Sequence, residues 1–178
     1  MSRLILVTGG SASGKSAHAE RILCTLAPRS RLYLATMQPF GAEAQARIAR
    51  HRTMRADKGF ETLERTHDLA HLQISTDYDG ILLEDVGNLL ANELYAPGGA
   101  GEHAVSAACA GIAHLAAQCG TLVAVTNEVF SDGLRYDDET VRYIRALGQL
   151  NTALAAHADA VYESVCGILI AHKGEKFC

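Results

Sequence analysis

The feature that most restricts how this chain can fold is an octapeptide, Gly9-Gly10-Ser11-Ala12-Ser13-Gly14-Lys15-Ser16. It lies between the apolar run Leu4-Ile5-Leu6-Val7-Thr8 and a helix-favouring stretch over residues 14–26. The pattern is G-x-x-x-x-G-K-[ST], and a strand before it with a helix after it is the context in which that pattern has a mechanism. Glycines let the backbone take positive φ and approach oxygen atoms closely. Successive N–H groups then form an anion nest, to which the helix beginning near Gly14 adds its positive end. Lys15 is placed for the β- and γ-phosphates of a nucleotide, and the Ser16 hydroxyl for Mg²⁺.

The rest of the chain extends this strand–loop–helix unit. Apolar runs recur at Leu32-Tyr33-Leu34-Ala35-Thr36, Gly80-Ile81-Leu82-Leu83-Glu84 and Thr121-Leu122-Val123-Ala124-Val125-Thr126. Ala160-Val161-Tyr162 and Gly167-Ile168-Leu169-Ile170 read as paired late strands. Between the runs, residues 42–56, 101–118 and 138–157 are rich in helix formers. Alternating strands and helices predict an α/β fold, a mainly parallel sheet with helices on both faces. The early runs are apolar throughout, as a strand buried on both faces requires. With 178 residues and no linker, repeat or low-complexity tract, residues 1–178 are expected to form a single domain.

Bulk properties exclude some classes. Hydrophobic residues make up 48% and charged residues 20%, a globular balance. A net charge of −4 argues against a general nucleic-acid binder. No apolar run reaches the ~20 residues of a membrane span, so no stable membrane insertion is expected. Arg3 and the short run after it lack a secretory layout, so the cytoplasm is the expected compartment. The five cysteines, Cys24, Cys109, Cys119, Cys166 and Cys178, form no C-x-x-C pair and are expected to be buried, reduced thiols.

Ligands of such sheets bind at the carboxyl ends of the strands. That rule selects Thr8-Gly9, Thr36-Met37, Glu84-Asp85 and Thr126-Asn127-Glu128. Glu84, at the end of an apolar run, is a candidate second anchor for Mg²⁺ beside Ser16. A locally basic segment, Arg47-Ile48-Ala49-Arg50-His51-Arg52-Thr53-Met54-Arg55, stands out in an acidic chain. On helical spacing Ala44, Ile48, His51 and Arg55 share a face. The segment suits a histidine that meets a phosphate-bearing group, although exposed charge runs are common and on the residues alone a solvated basic helix with an incidental histidine is the stronger reading. His67 and His71 are four apart, a metal-ligand spacing for which no third ligand is evident.

Taken in order, these stretches resemble the bifunctional cobinamide kinase/cobinamide-phosphate guanylyltransferases of adenosylcobalamin biosynthesis. The resemblance is carried by Ile5–Gly10 running into Ser13–Ser16, Tyr33-Leu34-Ala35-Thr36, and Ala46-Arg47-Ile48-x-x-His51-Arg52-x-x-Arg55. It continues through Glu61-Thr62-Leu63-Glu64, Leu82-Leu83-Glu84, Val125-Thr126-Asn127-Glu128-Val129 and Asn151-x-x-Leu154-Ala155-x-x-Ala158-Asp159. It implies a RecA-like P-loop nucleoside triphosphate hydrolase fold, assembled as a homotrimer. It also implies a two-step reaction: phosphorylation of adenosylcobinamide with ATP or GTP, then transfer of GMP from GTP through a guanylylated histidine.

By matched position that histidine is His51, with Lys15 as the other catalytic residue. The nucleotide contacts would be Gly9, Gly10, Ser11, Ala12, Ser13, Gly14, Lys15, Ser16, Ala35, Thr36, Met37, Arg52, Thr53, Met54, Arg55, Glu64 and Glu84. Mg²⁺ would be held by Ser16 and Glu84. The chain departs from the family pattern at Phe130–Tyr136, where a glycine-rich stretch ending in proline is usual, at Ala56 and Phe60, at Asp85 in place of cysteine, and by one extra residue between Arg55 and Glu64. Glu84, Asp85 and Glu128 are candidate bases for the kinase step. The competing readings are a P-loop kinase of another hydroxylated metabolite and a RecA-like nucleotide switch without catalysis.

Overall fold

A computed structural model describes residues 2–38, 45–46, 49, 53, 58–130 and 133–176. Its centre is a seven-stranded sheet in the order β3-β2-β4-β5-β1-β6-β7. The strands are β1 (Arg3–Gly9), β2 (Arg31–Ala35), β3 (Phe60–Glu64), β4 (Tyr78–Glu84), β5 (Cys119–Val125), β6 (Ala160–Val165) and β7 (Ile168–Lys173). All neighbours run parallel except β6 and β7, which form an antiparallel hairpin. The late runs are therefore paired, as their closeness in sequence predicts.

The helices are α1 (Lys15–Leu26), α2 (Val86–Tyr95), α3 (Ala104–Ala116) and α4 (Asp138–His157). Alternation along the central strands sends side chains to opposite sides. Ile5, Val7, Tyr33, Leu82, Val123 and Val125 pack with Ala19, Ile22 and Leu23 of α1. Leu6, Leu34, Ile81, Leu83, Leu122 and Ala124 pack with Leu89, Leu90, Ile112, Leu115, Leu147 and Leu150 of the other three helices. Both faces of the sheet are thus covered, as the continuous apolar runs require. Gly80 lets α1 close on β4, because a side-chain carbon there would lie 2.5 Å from Leu23 Cδ1 and 2.6 Å from Ala27 Cβ.

Helix α2 and strand β3 are additions to the expected elements. The basic helix expected over residues 42–56 lies largely outside the described residues; 45, 46, 49 and 53 are helical. Among the described residues no helix is long and apolar enough to cross a membrane. The cysteine expectation needs correcting. Cys24, Cys109 and Cys119 are half-buried and free, Cys178 lies outside the described residues, and Cys166 is exposed, because it sits at the tip of the β6–β7 hairpin. Burial pushes the Cys119 thiol up to about 12.

Candidate active site

Strand register assembles the site. Glu64 of β3 pairs with Ala35 of β2, Ala35 with Glu84 of β4, Glu84 with Val125 of β5, and Val125 with Val7 of β1. One row across the sheet therefore ends in the residues singled out from sequence, and the Gly9–Ser16 loop rises from the end of β1. This is the carboxyl edge, where parallel sheets of this kind bind ligands.

The loop is built by close approach. A side-chain carbon on Gly9 would lie 2.5 Å from Ser13 Oγ and 2.6 Å from the Ser164 carbonyl oxygen, so only glycine fits. Gly14 has φ 95° and is the N-cap of α1, with no side chain capping the helix. The first N–H groups of α1 are thus open to an anion. Ala12, with φ 55°, adds a second left-handed turn. Ser13 N donates to Gly10 O (3.3 Å). Lys15 Nζ donates to Gly10 O (3.1 Å), which folds the ammonium over the loop. Ser13 Oγ is buried and, among the described residues, has no hydrogen-bond partner. A bound oxyanion satisfies a donor of that kind.

Beneath the loop, the Ser16 hydroxyl donates to Glu84 Oε1. Glu84 is only 8% exposed. A serine hydroxyl and a buried carboxylate side by side are hard oxygen donors, the set that a Mg²⁺ ion takes alongside phosphate oxygens. The two residues chosen separately from sequence therefore meet in space. Among the described residues there is no group of three or more His, Cys, Asp or Glu suited to a metal. His71 Nδ1 instead pairs with Asp68 Oδ1 (2.6 Å), and His67 Nδ1 lies 3.0 Å from Thr66 Oγ1.

The neighbouring strand ends are locked by polar side chains. Thr36 is fully buried. Its hydroxyl donates to Asp85 O (2.7 Å) and accepts from Asp85 N (2.8 Å), tying the β2 exit to the β4 exit. Asn92 Nδ2 donates to Thr36 O and Thr66 O, at 2.8 and 2.9 Å. Asp85 caps α2 by accepting from Asn88 N (2.6 Å). At the β5 exit, Thr126 Oγ1 donates to Asn151 Oδ1 (2.6 Å), and Glu128 N donates to Gly9 O (3.0 Å). Met37 is half-buried and Glu64 exposed, both at the carboxyl edge. The Tyr143 hydroxyl is pushed up to about 12, first by burial and then by the charge of Asp85.

Of the basic segment, Thr53 is helical and exposed, with its hydroxyl donating to Ala49 O (3.1 Å). His51, Arg52, Met54 and Arg55 lie outside the described residues. Asn92 and Ser164 carry no sequence signal, each being a single polar residue without a motif. Asn151 was visible only through the family resemblance.

Solved structures with this architecture are distant in sequence. A flagellar accessory protein, FlaH, from Methanocaldococcus jannaschii has a TM-score of 0.51 at 13% identity, covering 97% of this chain and 79% of its own. A KaiC-like protein from Pyrococcus horikoshii has a TM-score of 0.53 at 10% identity, covering 98% of this chain and 80% of its own. These likenesses concern the fold alone, which is RecA-like. Closer in sequence is the bifunctional adenosylcobalamin biosynthesis protein CobU of Escherichia coli, 35% identical over 93% of this chain and 97% of the relative. The protein of the same name in Salmonella typhimurium is 35% identical over the same shares of the two chains. Cobinamide kinase / cobinamide phosphate guanyltransferase is the family whose model matches residues 5–171. With the P-loop raised on a parallel sheet and that match running almost end to end, the chain belongs to the cobinamide kinase / cobinamide phosphate guanyltransferase family.

Proposed function

We propose that this protein is a bifunctional transferase acting on adenosylcobinamide. In the first step the aminopropanol hydroxyl of the corrinoid attacks the γ-phosphorus of ATP or GTP. The bond to the β-phosphate oxygen breaks, nucleoside diphosphate leaves, and the hydroxyl proton passes to a carboxylate at the strand ends. In the second step a ring nitrogen of His51 attacks the α-phosphorus of GTP and pyrophosphate leaves. A phosphate oxygen of cobinamide phosphate then attacks the same phosphorus and the P–N bond breaks, giving adenosyl-GDP-cobinamide. The observation that carries the reading is the Ser16–Glu84 pair beneath the Gly9–Ser16 loop, in a chain of this family.

The residues have distinct tasks. Gly9 to Ser16 offer N–H donors to the phosphates, and the start of α1 adds the positive end of its dipole. Lys15 neutralises charge growing on the transferred group. Ser16 and Glu84 would hold Mg²⁺, which would supply further neutralisation of the phosphate oxygens. Ala35, Thr36 and Met37 border the nucleotide at the β2 exit, with Glu64 alongside. Arg52, Thr53, Met54 and Arg55 accompany His51 as contacts to the second nucleotide, the arginines meeting its phosphates. The candidate bases are all hydrogen-bond acceptors: Asp85 accepts from Asn88 on Oδ1 and Oδ2, Glu84 from the Ser16 hydroxyl and Glu128 from Phe130 N. A single domain, a homotrimeric assembly and a cytoplasmic location complete the proposal.

The test uses GTP labelled at the α- or the γ-phosphate, with wild type and His51→Ala. The expected outcome is α-label retained after denaturation, released by acid, stable to alkali and absent from His51→Ala. No retained α-label in wild type would remove the guanylyl step and leave a P-loop kinase.

A further inference from the structure

The tip of the β6–β7 hairpin rests against the P-loop, although the two are at opposite ends of the sequence. Val165 and Ile168 flank a two-residue turn in which Cys166 has φ 50° and Gly167 φ 80°. Two positive φ values give the tight reversal whose twist matches antiparallel strands. This turn aims two donors at one acceptor. Ser164 Oγ donates to Ser13 O at 2.8 Å, and Gly167 N donates to the same oxygen at 3.0 Å. The Gly167 carbonyl oxygen in turn lies 3.0 Å from His18 Nε2 on α1. Ser164 is 1% exposed, and its own carbonyl oxygen occupies the space that a side chain on Gly9 would need.

The consequence follows from peptide geometry. In a planar trans peptide the C=O of one residue and the N–H of the next point in opposite directions. The Ser13–Gly14 peptide is trans, since the cis bond among the described residues is Glu84–Asp85. Two donors holding the Ser13 carbonyl toward the hairpin therefore hold the Gly14 N–H away from it. Gly14 is the N-cap of α1, so that N–H belongs to the set offered to an anion. A loop free to rotate this peptide would present a carbonyl oxygen to the phosphates part of the time, a repulsive arrangement.

We propose that Ser164 is a positioning residue for phosphate binding, acting through the Ser13 carbonyl to fix the direction of the Gly14 N–H. Gly167 supplies the second donor from its backbone, which no substitution at 164 removes. This role rests on the nucleotide-binding reading given above.

The experiment measures GTP affinity by titration calorimetry with Mg²⁺, and KM and kcat in steady state, for wild type, Ser164→Ala and Ser164→Thr. Loss of one hydrogen bond's worth of preorganisation predicts a roughly fivefold to tenfold weaker Kd and higher KM in Ser164→Ala. The value of kcat should stay near wild type, and Ser164→Thr should restore affinity because it returns the hydroxyl. If Ser164→Ala does not fold, Ser164→Cys keeps the volume with only a weak donor and carries the same expectation. An unchanged Kd in the Ala or Cys variant while wild type binds GTP overturns the positioning role alone. A loss that threonine fails to restore overturns it as well. Absence of GTP binding by wild type overturns the nucleotide reading and this role with it.

Discussion

Glu84 is a buried carboxylate whose environment makes its task specific. Burial of such a group is costly unless its oxygens are engaged, and the Ser16 hydroxyl engages one of them. Glu84→Gln keeps the shape and the hydrogen bond but removes the charge. Its expected effect is a loss of about 10- to 100-fold in Mg²⁺-dependent turnover, with the Mg²⁺ dependence shifted to higher concentration. A Mg²⁺ titration of kcat/KM checks this, with circular dichroism as the control for folding. An unaltered Mg²⁺ dependence would remove Glu84 as a metal anchor. Residues of this kind were legible because their positions are tied to a pattern. Gly9, Gly14, Lys15 and Ser16 sit at fixed offsets after an apolar run, and Glu84 ends another. Ser164 and Asn92 were not legible, because each contributes one polar atom whose partner lies far away in sequence.

The helices show a similar division. Those with a clear polar face and good helix formers, α1 and α4, were readable from residue type. Helix α2 was not, because only Asp85 separates it from β4 and half of it is buried, including Val86, Leu89 and Leu90. Its apolar residues are split by Gly87 and Asn88 and follow those of the strand after only Glu84 and Asp85, so no separate helical stretch stands out. Strand β3 was missed for the opposite reason. It is an edge strand pairing only with β2, largely exposed, and Phe60-Glu61-Thr62-Leu63-Glu64 carries little apolar signal. Helix α4 also gives a pH prediction. Asp137 caps it by accepting from Thr140 N at 2.8 Å. This backbone N–H holds the carboxyl below its ordinary value of 3.8. A depressed folded value means that the stabilisation is complete above 3.8 and is lost as pH falls through the lower, folded value. Asp137→Asn retains a capping oxygen but cannot titrate. Thermal unfolding between neutral and acid pH should therefore fall less steeply on the acid side in Asp137→Asn than in wild type. Parallel curves would show that the cap carries no pH dependence.

At the scale of the whole molecule, apolar strands placed between two helical layers explain why the α/β class was readable before any contact was known. The order of strands was less accessible, since parallel pairing leaves no mark on the sequence of either partner. That order has a consequence for how the chain is made. Strand β1 is synthesised first, yet both its neighbours, β5 and β6, come late, and the Ser164 and Gly167 donors to Ser13 come later still. On a ribosome, Ile5, Leu6 and Val7 lack their native strand partners until β5 and β6 have emerged. Capture of GTP should therefore be one of the last properties a nascent chain acquires. Ribosome-bound chains halted with residue 158 outside the exit tunnel are expected to retain no labelled GTP, whereas chains exposed through residue 176 retain it. Retention at the earlier point would mean that the loop is competent before its sheet is closed.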